Sequence, residues 1–116
     1  MKILYAIQGT GNGHLSRATD IIPLLQQYGE VDILVSGRNA DVTTLFDIHY
    51  KLSGLSFVFG KKGDIEFVET IRQTDLRKLW NEIRNLPVRD YNLVINDFEP
   101  VSAWAAWLRN VPCYSL

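Results

Sequence analysis

The chain has 116 residues, of which 47% are hydrophobic and 22% charged, and its formal net charge is −1. These values are typical of one soluble globular domain, and they give no electrostatic reason to expect nucleic acid as a partner. The single cysteine, Cys113, cannot form an internal disulfide, and its apolar neighbours predict a buried strand position. No apolar run approaches the ~18 residues of a membrane-spanning helix. We expect a cytoplasmic protein. Peripheral binding at the inner face of a membrane is an alternative that the sequence leaves open.

The first half of the chain alternates apolar strands with helices. In the first helix, apolar residues recur with the 3.6-residue period of a helix packed on one face. The predicted elements are a strand at Lys2–Gln8, a helix at His14–Tyr28, a strand at Val31–Ser36, a short helix at Ala40–Phe46, and a third strand at Ser56–Gly60 with Tyr50–Leu52 as an extended lead-in.

The second half continues the alternation. One long helix is predicted over Asp64–Leu86, and Pro87 ends it. Its buried side is predicted to carry Val68, Ile71, Leu79, Ile83 and Leu86. A strand at Leu93–Ile95, a helix at Pro100–Asn110 and a last strand starting at Pro112 follow.

This alternation predicts an α/β, Rossmann-like fold with a parallel sheet of strand order 3-2-1-4-5 and helices on both faces. In such a sheet the strand order reverses between strands 1 and 4, and ligands bind beyond the carboxyl ends of the strands at that point. Two motifs follow these strands, Gly9–His14 and Asn96–Glu99. The topology therefore predicts that they meet at one crevice.

The glycine motif Gly9–His14 follows the first strand and opens a helix. A helix start carries unsatisfied N–H donors and the positive end of the helix dipole, so it favours anionic or oxygen-rich ligands. The dinucleotide fingerprint G-x-G-x-x-G is incomplete because its third glycine position is His14. No acidic residue ends strand 2, although Arg38 could meet the 2′-phosphate of NADP. The pattern of the phosphate-binding P-loop is absent as well.

His14 and Asp97 are the candidate chemical groups at this crevice. A helix N-terminus disfavours imidazolium, so a neutral His14 could accept a proton from a bound hydroxyl. Asp97 could accept a hydrogen bond from His14 and stabilise its charged form. Each residue also has a structural alternative, since His14 could simply start its helix, and Asp97 or Glu99 could cap the helix that begins at Pro100.

Three further features have open interpretations. Arg17, near a positive helix end, could bind a phosphate or carboxylate, or could simply be solvated. Lys61 and Lys62 could reach an anionic acceptor or a membrane headgroup, or could form a solvated loop. Trp104 and Trp107 are interpreted as core or domain-interface residues. The sequence contains no Asp-x-Asp motif and no zinc-ligand spacing, so we expect no metal site.

A family resemblance rests on both motifs of the crevice. The N-terminal half of GT-B fold glycosyltransferases is similar to the segment Gly9-Thr10-Gly11-Asn12-Gly13-His14-Leu15-Ser16-Arg17 that follows the first strand. The segment Asn96-Asp97-Phe98-Glu99-Pro100-Val101-Ser102-Ala103 adds to the match. Within that superfamily the chain resembles UDP-glucuronosyltransferases, the peptidoglycan lipid-intermediate N-acetylglucosaminyltransferase and bacterial relatives.

The resemblance implies a function for the motif residues. It implies an acceptor-binding domain of an inverting, metal-independent glycosyltransferase, with a nucleotide-sugar as co-substrate and a hydroxyl acceptor that could be lipid-linked. His14 would be the general base and Asp97 its partner. Substrate contacts would come from Gly9, Thr10, Gly11, Asn12, Gly13, Ser16, Arg17 and Glu99.

The resemblance also implies a missing part. The nucleotide-sugar site of such enzymes belongs to a C-terminal domain, and the sequence stops abruptly at a predicted strand. We therefore expect residues 1–116 to be a single N-terminal domain of a longer protein, inactive alone. The alternatives are an NADP-binding oxidoreductase domain, which would use Gly9, Gly11 and Arg38, and a non-catalytic α/β binding module.

Overall fold

The computed structural model describes residues 1–9, 13–37, 47–55 and 65–116, with the backbone alone for residues 13–15, 67 and 73. These residues contain one sheet of five parallel strands in the order β3-β2-β1-β4-β5. The strands are β1 Lys2–Gln8, β2 Glu30–Ser36, β3 Tyr50–Leu52, β4 Leu93–Asp97 and β5 Cys113–Ser115. The predicted fold class and strand order are confirmed.

Four helices accompany this sheet in the described residues. They are α1 Gly13–Leu25, α2 Phe67–Gln73, α3 Leu76–Asn85 and α4 Pro100–Arg109, and a single 3-10 turn, Val88–Asp90, precedes β4. β1 is buried from Ile3 to Gln8, as is typical of a central parallel strand with helices over both faces.

Two apolar layers cover the two faces of the sheet. On one face, α1 packs Ala18 and Ile22 against Tyr5, Ile7 and Val35. On the other face, α3 and α4 contribute Leu79, Ile83, Val101, Ala105 and Ala106, which pack against the sheet residues Leu4, Ala6, Leu34 and Val94. Because strand side chains alternate between faces, Asp97 lies on the α1 side and Asn96 lies on the α3–α4 side.

The prediction of one helix over Asp64–Leu86 is wrong. The chain leaves the helical conformation at Thr74 (φ −85°, ψ 131°), and Asp75 begins α3 by accepting a hydrogen bond from Lys78 N at 3.1 Å. Leu79, Ile83 and Leu86 are buried as predicted, whereas Val68 and Ile71 are 64% and 57% exposed. The break resets the helical phase, so the apolar residues of α2 do not continue the buried face of α3.

Other element boundaries differ by a few residues. α1 ends at Leu25, and Gln26–Tyr28 form a turn instead of a last helical turn. The strand next to β2 is Tyr50–Leu52, the predicted lead-in, while Ser56–Gly60 and the predicted helix Ala40–Phe46 lie outside the described residues.

Two burial predictions need correction. Trp104 and Trp107 are 50% and 77% exposed, so the core alternative is wrong for both, while the domain-interface alternative stays a prediction. Cys113 lies in β5 as predicted but is half-buried rather than buried.

Candidate functional site

The carboxyl edge of the sheet brings the end of β4 next to α1. Asp97 is the last residue of β4 and pairs in register with Ile7 of β1, which lies under α1. The side chain of Asp97 is 1% exposed, and its Oδ1 accepts a hydrogen bond from Arg17 Nη1 at 3.1 Å. Residues 80 positions apart in sequence therefore form an ion pair at the predicted crevice.

Helix α1 contains the two other predicted groups of this region. His14 is its second residue, and Arg17 follows one turn later, so the two positions are neighbours on the helix. The His14 side chain lies outside the described structure, as do Thr10, Gly11 and Asn12. The predicted hydrogen bond between His14 and Asp97 therefore stays a prediction, and Arg17 is the residue seen on Asp97.

Tyr5 lies near this ion pair, on the same face of the sheet. Its side chain is fully buried on the α1 face, and its hydroxyl makes no hydrogen bond to the described part of the chain. Burial and the nearby charge of Asp97 raise the pKa of Tyr5 to about 12, while the Arg17 charge lowers it. Tyr5 keeps its proton at neutral pH, and its hydroxyl lies within the field of both charges.

A tight turn connects β4 to α4. Phe98 has a positive φ of 57°, which costs a non-glycine residue roughly 1–3 kcal/mol and is concentrated at functional sites. Asn96 holds the turn, because its Oδ1 accepts from Glu99 N at 3.2 Å and its Nδ2 donates to Glu99 O and, at 2.8 Å, to Ser102 Oγ. The turn thereby fixes the backbone on both sides of Asp97. No sequence signal for this conformation exists at Phe98, since phenylalanine rarely adopts it.

Glu99 caps α4, which confirms the prediction that Asp97 or Glu99 could cap the helix beginning at Pro100. Its Oε1 accepts from Ser102 N at 2.6 Å, and its Oε2 accepts from Val101 N at 3.0 Å and from Ser36 Oγ at 2.6 Å. The side chain is 1% exposed, and burial raises the pKa of the carboxyl group while these hydrogen bonds lower it in part. Substrate contact by Glu99 stays a prediction, and it competes with this capping role.

The segment after β3 packs against the same carboxylate. Gly54 has a φ of +58°, and a Cβ there would lie 2.9 Å from Ser36 Oγ, so only glycine fits without rearrangement. Glu82 of α3 holds the segment by accepting from Ser53 N at 2.8 Å and from Gly54 N at 3.0 Å. The sequence carries no local signal for Ser36, Gly54 and Glu82, because these contacts link distant parts of the chain.

Two predicted substrate contacts have specific places in the structure. Gly9 is buried, and its N–H donates to Ser36 O at 2.7 Å, so this N–H extends the hydrogen bonding of β1 to β2. Ser16 lies on the exposed side of α1, and Gly13 is the first residue of that helix. Their contact with substrate is untested and stays a prediction.

A second polar cluster lies towards the opposite, amino edge of the sheet. Asp32 Oδ1 lies 3.2 Å from His49 Nε2, and its Oδ2 accepts from Tyr91 OH at 2.5 Å. His49 Nδ1 in turn accepts from Ile33 N at 3.1 Å, and the hydroxyls of Tyr50 and Tyr91 lie 2.9 Å apart. Burial, followed by the hydrogen bond to Asp32, raises the pKa of Tyr91. This cluster is separate from the Asp97 region.

The described residues contain no group of three or more His, Cys, Asp or Glu side chains that could hold a metal ion. Within the same residues, no helix is long and apolar enough to cross a membrane.

Comparisons with known proteins identify the family of the chain. A comparison with curated proteins gives no match. The family model described as glycosyl transferase family 1 matches residues 1–116, the whole of the chain. Because this match covers more than half of the chain, the chain belongs to glycosyl transferase family 1.

Proposed function

We propose that this chain is the N-terminal, acceptor-side domain of an inverting, metal-independent glycosyltransferase. In this proposal a second, C-terminal domain of the native protein binds the nucleotide-sugar, and the crevice at the carboxyl edge of the sheet faces it. The proposed acceptor is a compound with a free hydroxyl group. Lipid-linked compounds of this kind are among the proposed acceptors.

In the proposed reaction, His14 acts as the general base. The acceptor oxygen attacks the anomeric carbon while the bond from that carbon to the nucleoside diphosphate breaks, and the acceptor proton passes to His14. Asp97 stabilises the imidazolium that forms and fixes the orientation of the ring. The nucleoside diphosphate leaves with the electron pair of the broken bond, so atoms and charges balance without a metal ion.

The observation that carries the proposal is the meeting of Asp97 with the first turns of α1. The Arg17–Asp97 ion pair at 3.1 Å fixes α1 against the end of β4, and His14 is one turn away from Arg17 on the same helix. Asp97 is buried at the topological switch point, where open α/β sheets bind ligands. A carboxylate buried beside a helix start that carries a histidine supports base catalysis on a bound hydroxyl.

The test uses the native full-length protein. The assay measures release of nucleoside diphosphate from a panel of UDP-, GDP- and dTDP-sugars, with a lipid and carbohydrate extract of the source cells as acceptor. We expect His14→Ala to lower kcat by about 10²- to 10⁴-fold, the usual contribution of a general base. We expect Asp97→Asn to lower kcat with little change in KM, and EDTA to leave the rate unchanged.

The matched control is His49→Gln, because His49 belongs to the cluster near the amino edge of the sheet. This variant should keep wild-type turnover. A native protein that transfers sugar equally well with His14→Ala would contradict the proposed base. A protein whose intact mass in the source cells is close to 13.3 kDa would contradict the proposed second domain on the same chain.

A further inference from the structure

The ion pair between Arg17 and Asp97 joins a buried group to a half-exposed one. The side chain of Asp97 is 1% exposed and that of Arg17 is 47% exposed. A carboxylate that is buried without a balancing charge is costly, whereas one that is paired and hydrogen-bonded is tolerated. Arg17 of α1 reaches Asp97 with Nη1, and nearly half of the Arg17 side chain stays exposed to solvent.

The charged and titratable groups near Asp97 come from three elements of the described structure. Tyr5 of β1 and Arg17 of α1 lie within the field of Asp97, and Tyr5 is neutral at ordinary pH. Asp20 lies one turn after Arg17 on α1 and is exposed. Glu99 follows β4 closely, but it caps α4 and bonds to Ser36 on the other face of the sheet. Arg17 therefore supplies the positive charge that the described structure places against Asp97.

We propose that Arg17 is a positioning residue of the His14–Asp97 dyad, holding the Asp97 carboxylate in place and offsetting its charge so that His14 stays neutral at a lower pH. This inference rests on the proposed function, which makes His14 the base. An unbalanced carboxylate next to an imidazole favours the imidazolium, which cannot accept a proton. A guanidinium bound to the same carboxylate opposes that effect, and its planar donors fix the carboxylate more rigidly than an ammonium group does.

This role differs from the anion-binding role that the sequence indicates for Arg17. In the anion-binding role, the guanidinium acts on a phosphate or carboxylate of the substrate, and its removal weakens substrate binding. In the positioning role, removal of the charge acts on His14 even when no substrate is present. The titration of His14 in the ligand-free protein therefore separates the two roles.

The experiment is an NMR titration of the histidine ring signals in the 116-residue chain. The chain contains two histidines, so His49→Gln assigns the His14 signals. The variants are Arg17→Met, which removes the charge but keeps the aliphatic stem, and Arg17→Gln, which removes the charge but keeps a hydrogen-bond donor. Arg17→Lys keeps the charge. The amide spectrum of each variant reports folding, and the His49 ring signals serve as the internal control.

We expect the midpoint of the His14 titration to rise by at least about 0.5 pH unit in Arg17→Met and Arg17→Gln. Arg17→Lys should stay near the wild-type midpoint, and Asp97→Asn should lower it. Unchanged midpoints in both uncharged variants overturn the inference, and so does an effect that Arg17→Lys shares with them. If inorganic phosphate shifts the Arg17 side-chain signal while those midpoints stay unchanged, Arg17 is an anion-binding residue instead.

Failure of this inference and failure of the proposed function can be told apart. The titration needs neither substrate nor a second domain, whereas the turnover of His14→Ala tests the base itself. If His14→Ala abolishes turnover and the Arg17 variants leave the titration unchanged, the inference alone fails. If His14→Ala keeps turnover, the proposed function fails, whatever the titration shows.

Discussion

At the scale of single residues, burial and hydrogen bonding act in opposite directions on the ionisation of Glu99. Three hydrogen bonds, from Ser36 Oγ, Val101 N and Ser102 N, favour its ionised form, and so does the N-terminus of α4. Burial opposes ionisation and is the larger effect, so the pKa of Glu99 is raised. The group that caps α4 beside the candidate site therefore has a protonation state that depends on pH.

The raised pKa of Glu99 predicts the direction in which stability changes with pH. Because the pKa in the folded chain is above its ordinary 4.5, protonation favours the folded state. The stability from this group is fully present below pH 4.5 and is lost as the pH rises through the folded-state value. We expect the free energy of unfolding of the wild type, minus that of Glu99→Gln, to fall from pH 4 to pH 8.

Urea denaturation of both proteins across this range measures that difference. The glutamine of the variant cannot accept the same hydrogen bonds, which adds an offset that does not depend on pH, so the slope carries the information. A difference that grows with pH would show that the three hydrogen bonds outweigh burial.

At the scale of elements, the break between α2 and α3 decides how α3 meets the sheet. Thr74 Oγ1 donates to Thr70 O at 2.6 Å, and Asp75 then accepts from Lys78 N at 3.1 Å. The new helix start sets the phase that directs Leu79 and Ile83 into the core and brings Glu82 to the segment after β3. A capping residue on the surface thus helps to hold a segment that packs beside Glu99.

We expect Asp75→Ala to lower the free energy of unfolding by about 0.5–2 kcal/mol, because it removes the side-chain cap of α3. Asp75→Asn should keep most of the stability, since asparagine caps a helix about as well. Thermal or urea denaturation measures both. Equal losses in the two variants would mean that the charge of Asp75, rather than its capping bond, stabilises α3.

The same elements show how far the sequence predicts this molecule. Apolar runs and the alternation of strands and helices predict the strand order, because crossover handedness leaves few other topologies. They predict the meeting of Asp97 with α1 for the same reason. The sequence does signal the break at Thr74, because Asp75 is a residue type favoured at helix N-caps. The apolar residues on both sides, however, fit the spacing of one continuous helix, which obscures that signal. The contacts of Glu99 with Ser36, and of Glu82 with Gly54, have no local signal because they join residues far apart in sequence.

At the scale of the whole molecule, the two faces of the sheet differ in what they present to solvent. On the α3–α4 face a groove of about 560 Å³ is lined by Trp80, Ile83, Trp104, Trp107 and Leu108. Ala105 and Ala106 let α4 pack closely on the sheet, and Trp104 and Trp107 lie on the outer side of this helix. Trp80, Trp104 and Trp107 are 51%, 50% and 77% exposed, and they are all the tryptophans of the chain.

This arrangement predicts that the tryptophans contribute little to the stability of the chain despite their size. Trp107→Ala should change the free energy of unfolding by less than about 1 kcal/mol, since the residue lies outside the core. Ile83→Ala, at the base of the same groove, should cost about 2–5 kcal/mol because Ile83 is 1% exposed. Urea denaturation compares the two, and acrylamide should quench the fluorescence of all three tryptophans in the wild type. A loss in Trp107→Ala as large as that in Ile83→Ala, or tryptophans protected from acrylamide, would mean that the groove is closed in solution.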